Sequence, residues 1–358
     1  MSFSIKDILK KAVEDGASDV FVVAGMSVGF RHSGRVQVID EDKLNKDDCL
    51  RLLTEIYQLA DNRSMEGYLK TGDDDFSFAI PGLSRFRVSA YKQRGSLAAV
   101  IRIISFVLPD YRELNIPEEI MELGDMRDGL VLVTGPAGSG KSTTLACIID
   151  RINNSRSANI ITLEDPIEYL HQHRKSIVSQ REMAVDSRNY VTALRATLRQ
   201  SPDVILLGEM RDYETISVAM TAAETGHFLL STLHTMGAAN TINRIIDVFP
   251  ASQQRQISVQ MSMVLQAVVS QQLVPAVDGS VVPVFEMMKV TPAIRNMIRE
   301  NKIAQIDAAV RGGRESNGLT NDGGLFRLAS DGVITAETAV QYANDPQIMK
   351  NRLGGAGL

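Results

Sequence analysis

The sequence predicts an α/β protein of two domains: a small α+β domain with an antiparallel sheet, then a larger domain whose parallel sheet is covered by helices. Three observations carry this. The chain has 358 residues, about two domains of ordinary size. Its first hundred residues hold short strand patterns joined by tight turns, as antiparallel sheets do. Beyond them, near-continuous apolar runs alternate with helical patterns, which is how strands buried on both faces read.

The elements follow in order. Ile5, Ile8, Leu9, Ala12 and Val13 form one helical stripe, and Ser4 with Asp7 three residues on suits its N-terminal cap. DVFVVAG at 19–25 reads as a strand, and FRHSGRVQVI at 30–39 as a hairpin turning at Ser33-Gly34. A helix over 46–60 buries Leu50, Leu53, Ile56 and Tyr57. DFSFAI, RFRVSAYKQ and SLAAVIRII are three further strands, and the acidic run at 73–76 is a loop at a strand edge. These elements make a domain of residues 1–104. Pro109, Pro117 and several acidic residues mark 105–124 as a linker.

The second domain, 125–290, contains the strands LVLVT (130–134), NIITL (159–163), DVILLG (203–208) and FLLSTL (228–233). Helices are expected at 141–153, 189–200, 212–225, 237–248 and 252–271. VVPVFEMM supplies one more strand. Residues 291–358 read as short helices ending in a frayed LGGAGL tail.

Composition narrows the function. Lys and Arg number 38 against 43 Asp and Glu, and this acidic balance argues against a nucleic-acid coat or a polybasic membrane binder. Aromatic residues are 5% and Trp is absent, so stacking platforms for bases are not expected. The two cysteines, Cys49 and Cys147, cannot build a four-thiolate zinc module, and they read as small core residues in helices. No apolar run is long enough for a membrane span, and the first fifteen residues lack the apolar stretch of a signal peptide.

The strongest motif is GPAGSGKST. Gly135, Gly140, Lys141 and Ser142 fit G-x-x-x-x-G-K-[ST], with an apolar strand before it and a helical pattern after it. Glycines allow unusual backbone angles, so the amides of Gly135, Gly138 and Gly140 can point at phosphate oxygens at a helix N-terminus. In that loop Pro136, Ala137, Gly138 and Ser139 would line the phosphates with Thr143 beyond them. Lys141 would reach the β and γ phosphates, and Ser142 would offer its hydroxyl to Mg²⁺. The loop alone leaves kinase, GTPase, nucleic-acid motor and secretion motor open.

Three later blocks decide between them. PDVILLGEMRD ends a strand on Gly208-Glu209. If that strand lies beside the loop-bearing one, Glu209 holds Mg²⁺ or its water shell. ITLEDPIE puts Glu164, Asp165 and Glu168 at another strand end, stopped by Pro166. Ligands of open α/β sheets lie at such ends, and Glu164 is the candidate to orient the attacking water. TGHFLLSTLHT places His227 and His234 at opposite ends of one strand, which makes a shared metal site improbable.

Together, GPAGSGKST, ITLEDPIE, LLGEMRD and TGHFLLSTLHT resemble the Walker A, Asp box, Walker B and His box of the type II/IV secretion ATPases. TPAIRNMIRE at 291–300 resembles a C-terminal motif of the branch that retracts type IV pili. The extension branch carries CxxC pairs and a longer N-terminal region, and neither occurs here. NGLTNDGGLF at 317–326 departs from the run that usually follows the C-terminal motif. The resemblance implies an N-terminal PAS-like domain and a C-terminal RecA-like P-loop ATPase domain. It implies ATP and Mg²⁺ as cofactors, with Ser142 and Glu209 at the metal. Glu164 is then the catalytic glutamate, and His227 and His234 face the nucleotide. Arg87 and Arg102, and less clearly Arg85, reach a neighbouring subunit's nucleotide. It further implies a homohexamer on the cytoplasmic face of the inner membrane. That ring would act on a pilus-base platform protein through nucleotide-driven interdomain closure, with no nucleic-acid partner.

Overall fold

The structure, a computed structural model, describes residues 4–32, 35–39, 42–104, 108–312 and 319–357. It divides into two compact units, residues 1–107 with 168–170, and residues 108–167 with 171–358.

The first unit runs α1 (Ile5–Glu14), β1 (Asp19–Val22), β2 (Gly29–His32), β3 (Arg35–Val38), α2 (Lys46–Leu59), α3 (Glu66–Thr71), β4 (Asp73–Ile80), β5 (Ser84–Gln93) and β6 (Ser96–Ile104). Its strands form one antiparallel sheet in the order β3-β2-β1-β6-β5-β4. The Ser4 hydroxyl accepts from the Asp7 amide, so the expected cap closes α1. Ser33-Gly34 lie outside the described residues, but β2 and β3 pair as a hairpin should. In β5 the buried residues Ser84, Phe86, Val88 and Ala90 alternate with outward Arg85, Arg87 and Ser89. The inward set packs with Leu52, Leu53 and Ile56 of α2.

Two readings of this unit need correction. Leu50 is 47% exposed, and Cys49 and Leu52 take the buried face of α2 instead. The acidic run at 73–76 is not a loop but the start of β4. Asp74 there accepts from the Arg63 guanidinium at 2.9 and 3.0 Å and from the Tyr57 hydroxyl at 2.9 Å, which makes an acidic strand end tolerable. The short helix α3 went unread.

The second unit comprises α4 (Glu118–Met121), β7 (Gly129–Thr134), α5 (Lys141–Ser155), β8 (Asn159–Glu164), β9 (Ile177–Glu182), α6 (Tyr190–Thr197), β10 (Val204–Leu207), α7 (Tyr213–Glu224), β11 (Phe228–Leu233), α8 (Ala238–Asp247), α9 (Ala251–Val264), β12 (Leu265–Pro275), β13 (Val281–Lys289), α10 (Pro292–Arg299), α11 (Ile306–Arg311), α12 (Asn321–Ser330), α13 (Ala336–Tyr342) and α14 (Pro346–Ala356). The sheet order is β13-β12-β7-β11-β10-β8-β9. All neighbours are parallel except β12 and β13.

Successive strand residues feed two different cores. Leu130 and Leu132 point into one with α6 to α10, while Val131 and Val133 point into the other with α4 and α5. That two-sided burial is why the strands read as unbroken apolar runs. Residues 105–107 lie outside the described residues. From Leu108 the stretch read as linker belongs to the second unit, where Ile116, Ile120, Met121 and Leu123 are buried in the α5 core.

The helix expected over 252–271 ends at Val264, and Leu265–Pro275 is strand β12. Its apolar residues suit either period, and pairing on both sides with β7 and β13 decides for the strand. Residues 319–326 of the divergent stretch hold the Thr320 cap and first turn of α12. Helices α12, α13 and α14 pack on Val274, Val282 and Val284 of the β12–β13 hairpin.

Candidate phosphate-binding site

Strand β7 leaves the sheet at Gly135 and re-enters regular structure at Lys141, the first residue of α5. The intervening loop needs its glycines. Gly135 and Gly140 have φ of 143° and 85°, angles that L side chains rarely adopt. The N-cap of α5 is Gly140, with no side-chain cap and no acidic residue in the first turn. The N-terminus of this fifteen-residue helix, with its positive dipole end, thus suits an anion. The Lys141 side chain is buried and curls back over the loop, its Nζ donating to the carbonyls of Gly135 at 2.9 Å and Pro136 at 2.8 Å. Pro136, Ala137, Gly138 and Ser142 are exposed, Thr143 is half-buried, and Ser139 is buried.

The other candidates stand at the carboxyl ends of neighbouring parallel strands. Along that edge the order is the glycine loop after β7, His234 after β11, Glu209 after β10, and Glu164 ending β8. Strand β10 is therefore not beside β7 as expected, because β11 lies between them. The placement still brings Glu209 and His234 together, with His234 Nε2 3.5 Å from Glu209 Oε2. The same oxygen takes Arg211 Nε at 2.5 Å. Glu164 Oε1 accepts from the Thr162 hydroxyl at 2.6 Å and from Gln180 Nε2 at 3.2 Å. Gln180 is itself fixed, since its Oε1 accepts from the His171 amide at 2.8 Å.

His227 does not join this group. It precedes β11, at the opposite edge of the sheet, and its carbonyl accepts from the Gly129 amide at the start of β7. Its Nδ1 lies 2.9 Å from the Ala222 carbonyl and 3.2 Å from Thr225 Oγ1, at the C-terminal end of α7. Within this chain His227 is a helix-end residue, and only His234 of the pair faces the carboxylates.

The arginines belong to the first unit. Arg87 on β5 and Arg102 on β6 are paired in register. Arg102 Nε donates to the buried Asp19 at 3.1 Å, and Arg31 Nε lies 3.6 Å from the same carboxylate. The Arg102 side chain remains 67% exposed.

Some site residues escaped the sequence reading. Tyr190 of α6 lies against Gly208, where an added Cβ would meet its hydroxyl at 2.8 Å. Burial, then the charges of Asp165, Glu209 and Glu164, push its hydroxyl pKa up. Arg211 lies inside the motif that nominated Glu209 and was passed over. Gln180 had no local signal, because β9 reads IVSQRE, a half-polar edge strand. Among the described residues, no group of three or more His, Cys, Asp or Glu side chains is placed to hold a metal ion.

The model of the family described as Type II/IV secretion system protein matches residues 2–316. The chain is 43% identical over 343 residues to the type IV pilus retractation ATPase PilT of Pseudomonas aeruginosa, covering 96% of this chain and 99% of the relative. It is 39% identical over 350 residues to a twitching motility protein of Neisseria gonorrhoeae, covering 98% and 93%. Its fold is similar to the crystal structure of the pilus retraction motor PilT with bound ADP. The TM-score is 0.89 at 42% identity, covering 98% of this chain and all of that one.

Proposed function

Because this chain belongs to the type II/IV secretion system protein family, we propose that it is an ATP-hydrolysing motor that powers type IV pilus retraction and so twitching motility. The observation that carries the reading is the loop Gly135–Gly140 with Lys141 folded over it, in a chain similar from end to end to a retraction motor.

In this reading the loop amides and Lys141 bind the phosphates of ATP. Mg²⁺ would supply neutralisation of the developing phosphate charge. The hydroxyl of Ser142 and the carboxylate of Glu209 are hard oxygen donors suited to it, and the remaining ligands would be phosphate and water. Glu164, held by Thr162 and Gln180, orients the attacking water and takes its proton. Arg211 and His234 hold Glu209 in place. Arg87 and Arg102 complete the site of an adjacent subunit in a homohexameric ring, with Arg85 a third candidate. The ring would work at the cytoplasmic face of the inner membrane on a platform protein of the pilus base. No helix among the described residues is long and apolar enough to cross a membrane.

Deletion of the gene and complementation with the parent or with Lys141→Ala tests this. Cells lacking the activity should keep surface pili and lose twitching, with only the parent restoring it. Loss of surface pili on deletion would instead identify an assembly motor.

A further inference from the structure

Strand β12 carries three consecutive buried polar residues, Ser270, Gln271 and Gln272, in a strand whose other buried residues are apolar. Burying polar groups is costly unless each is hydrogen-bonded, so each partner matters. Ser270 Oγ is 3.0 Å from Thr134 Oγ1 and accepts from the Gly237 amide, which joins two strand ends. Gln272 Nε2 donates to Asn321 Oδ1 at 2.7 Å and so seats α12. Gln271, pointing the other way from its neighbours along the strand, faces the glycine loop.

The register explains why. Ser270 is the last residue of β12 paired with β7, opposite Thr134. Strand β7 then turns away into the loop, and Gln271 continues beneath it. A Cβ on Gly135 would lie 2.0 Å from the Gln271 carbonyl oxygen, and a Cβ on Gly140 would lie 2.8 Å from Gln271 Nε2. Its Oε1 accepts from the Thr144 hydroxyl of the first turn of α5 at 2.8 Å, and both residues are buried. Gln271 therefore meets the start of the loop with its backbone carbonyl, and the end of the loop and the helix behind it with its side chain. It carries no charge that would compete with Lys141 or repel a phosphate.

We infer that Gln271 is a positioning residue for the phosphate loop, acting through Thr144 to fix the amides that receive the nucleotide. The inference rests on the nucleotide-binding reading above.

The full chain is tested as parent, Gln271→Leu, Gln271→Glu, Thr144→Val, the Gln271→Leu/Thr144→Val double variant and Lys141→Ala. The measurements are binding of a fluorescent ADP analogue, steady-state ATP turnover and thermal melting. Gln271→Leu and Thr144→Val should each weaken ADP binding and raise the KM for ATP about tenfold, the scale of one buried hydrogen bond. The double variant should be no worse than the poorer single, because one hydrogen bond is lost in each case. Gln271→Glu keeps the acceptor for Thr144 but sets a negative charge under the loop, so it should bind ADP more weakly than Gln271→Leu, and most so at low salt. A packing role alone would lower the melting temperature and leave the ADP affinity of the folded protein unchanged. Folded Gln271→Leu binding ADP as the parent does, while Lys141→Ala fails to, overturns this inference and leaves the nucleotide reading intact. A parent that binds no ADP overturns both.

Discussion

Arg87 and Arg102 stand directly opposite one another on adjacent antiparallel strands, so two guanidinium groups share one face of the first unit's sheet. Like charges in that relationship are unfavourable. Asp19, buried and bonded to Arg102, offsets one of them. Arg87→Ala should therefore leave the melting temperature of the chain unchanged or slightly raised. ATP turnover of the assembled protein should drop by about 10³-fold, the lower end for an arginine finger. Mixing Arg87→Ala with Lys141→Ala subunits should restore part of the activity if the arginine serves a neighbour's site. Turnover that stays absent in the mixture would mean it does not act across subunits.

Glu164 is held by two donors on one oxygen, Thr162 and Gln180. Glu164→Gln should bind ATP as tightly as the parent and hydrolyse it about 10²–10⁴ times more slowly, the usual range for a lost general base. Gln180→Leu should lower kcat by a smaller factor with KM little changed, since Gln180 bonds the proposed base Glu164. Equal turnover by Glu164→Gln would remove this residue from the catalytic role.

Much of this architecture can be read from local pattern, and the exceptions have physical causes. The glycine loop announces itself because phosphate binding constrains several adjacent positions at once. Glu164 and Glu209 are visible because each ends an apolar run. Strand order is not local: nothing in LVLVT or DVILLG tells that FLLSTL inserts between them. Period fails for 252–271, where the helix runs into the strand at Val264-Leu265 with no Gly or Pro between them and the pairing partners mark the change. Gln271 is legible in retrospect as a polar residue in an apolar strand. Its partner Thr144 lies 127 positions away in sequence, so the sequence marks an anomaly without saying what it touches.

The two histidines of TGHFLLSTLHT should part company. His234 is within 3.5 Å of the Glu209 carboxylate, whereas His227 bonds the end of α7 on the far edge of the sheet. His234→Ala should lower kcat. His227→Ala should cost about 1 kcal/mol of stability, a typical hydrogen-bond loss, and leave the kcat of a single subunit's site within about twofold, which thermal melting and steady-state kinetics would separate. A large loss of kcat in melted-normal His227→Ala protein would show that the histidine acts on a site outside its own chain.

Glu286 on β13 is a buried carboxylate whose Oε2 accepts from Asn344 Nδ2 at 3.0 Å. Burial, the first cause, lifts its pKa above the ordinary 4.5, and the Asp307 and Asp322 charges add to the lift. The folded protein then holds this proton at pH values where the unfolded chain has released it. More protons bound in the folded than in the unfolded state means that stability falls as pH rises through that window. The ionised carboxylate thus destabilises the fold above its raised pKa and costs nothing below about 4.5. Glu286→Gln keeps an acceptor for Asn344 and removes the charge. It should melt higher than the parent at pH 7, and the gap should close on acidification toward pH 4.5. A gap that stays constant with pH would trace the gain to packing, and a lower melting temperature at pH 7 would mean that the charge is compensated by a partner in the folded protein.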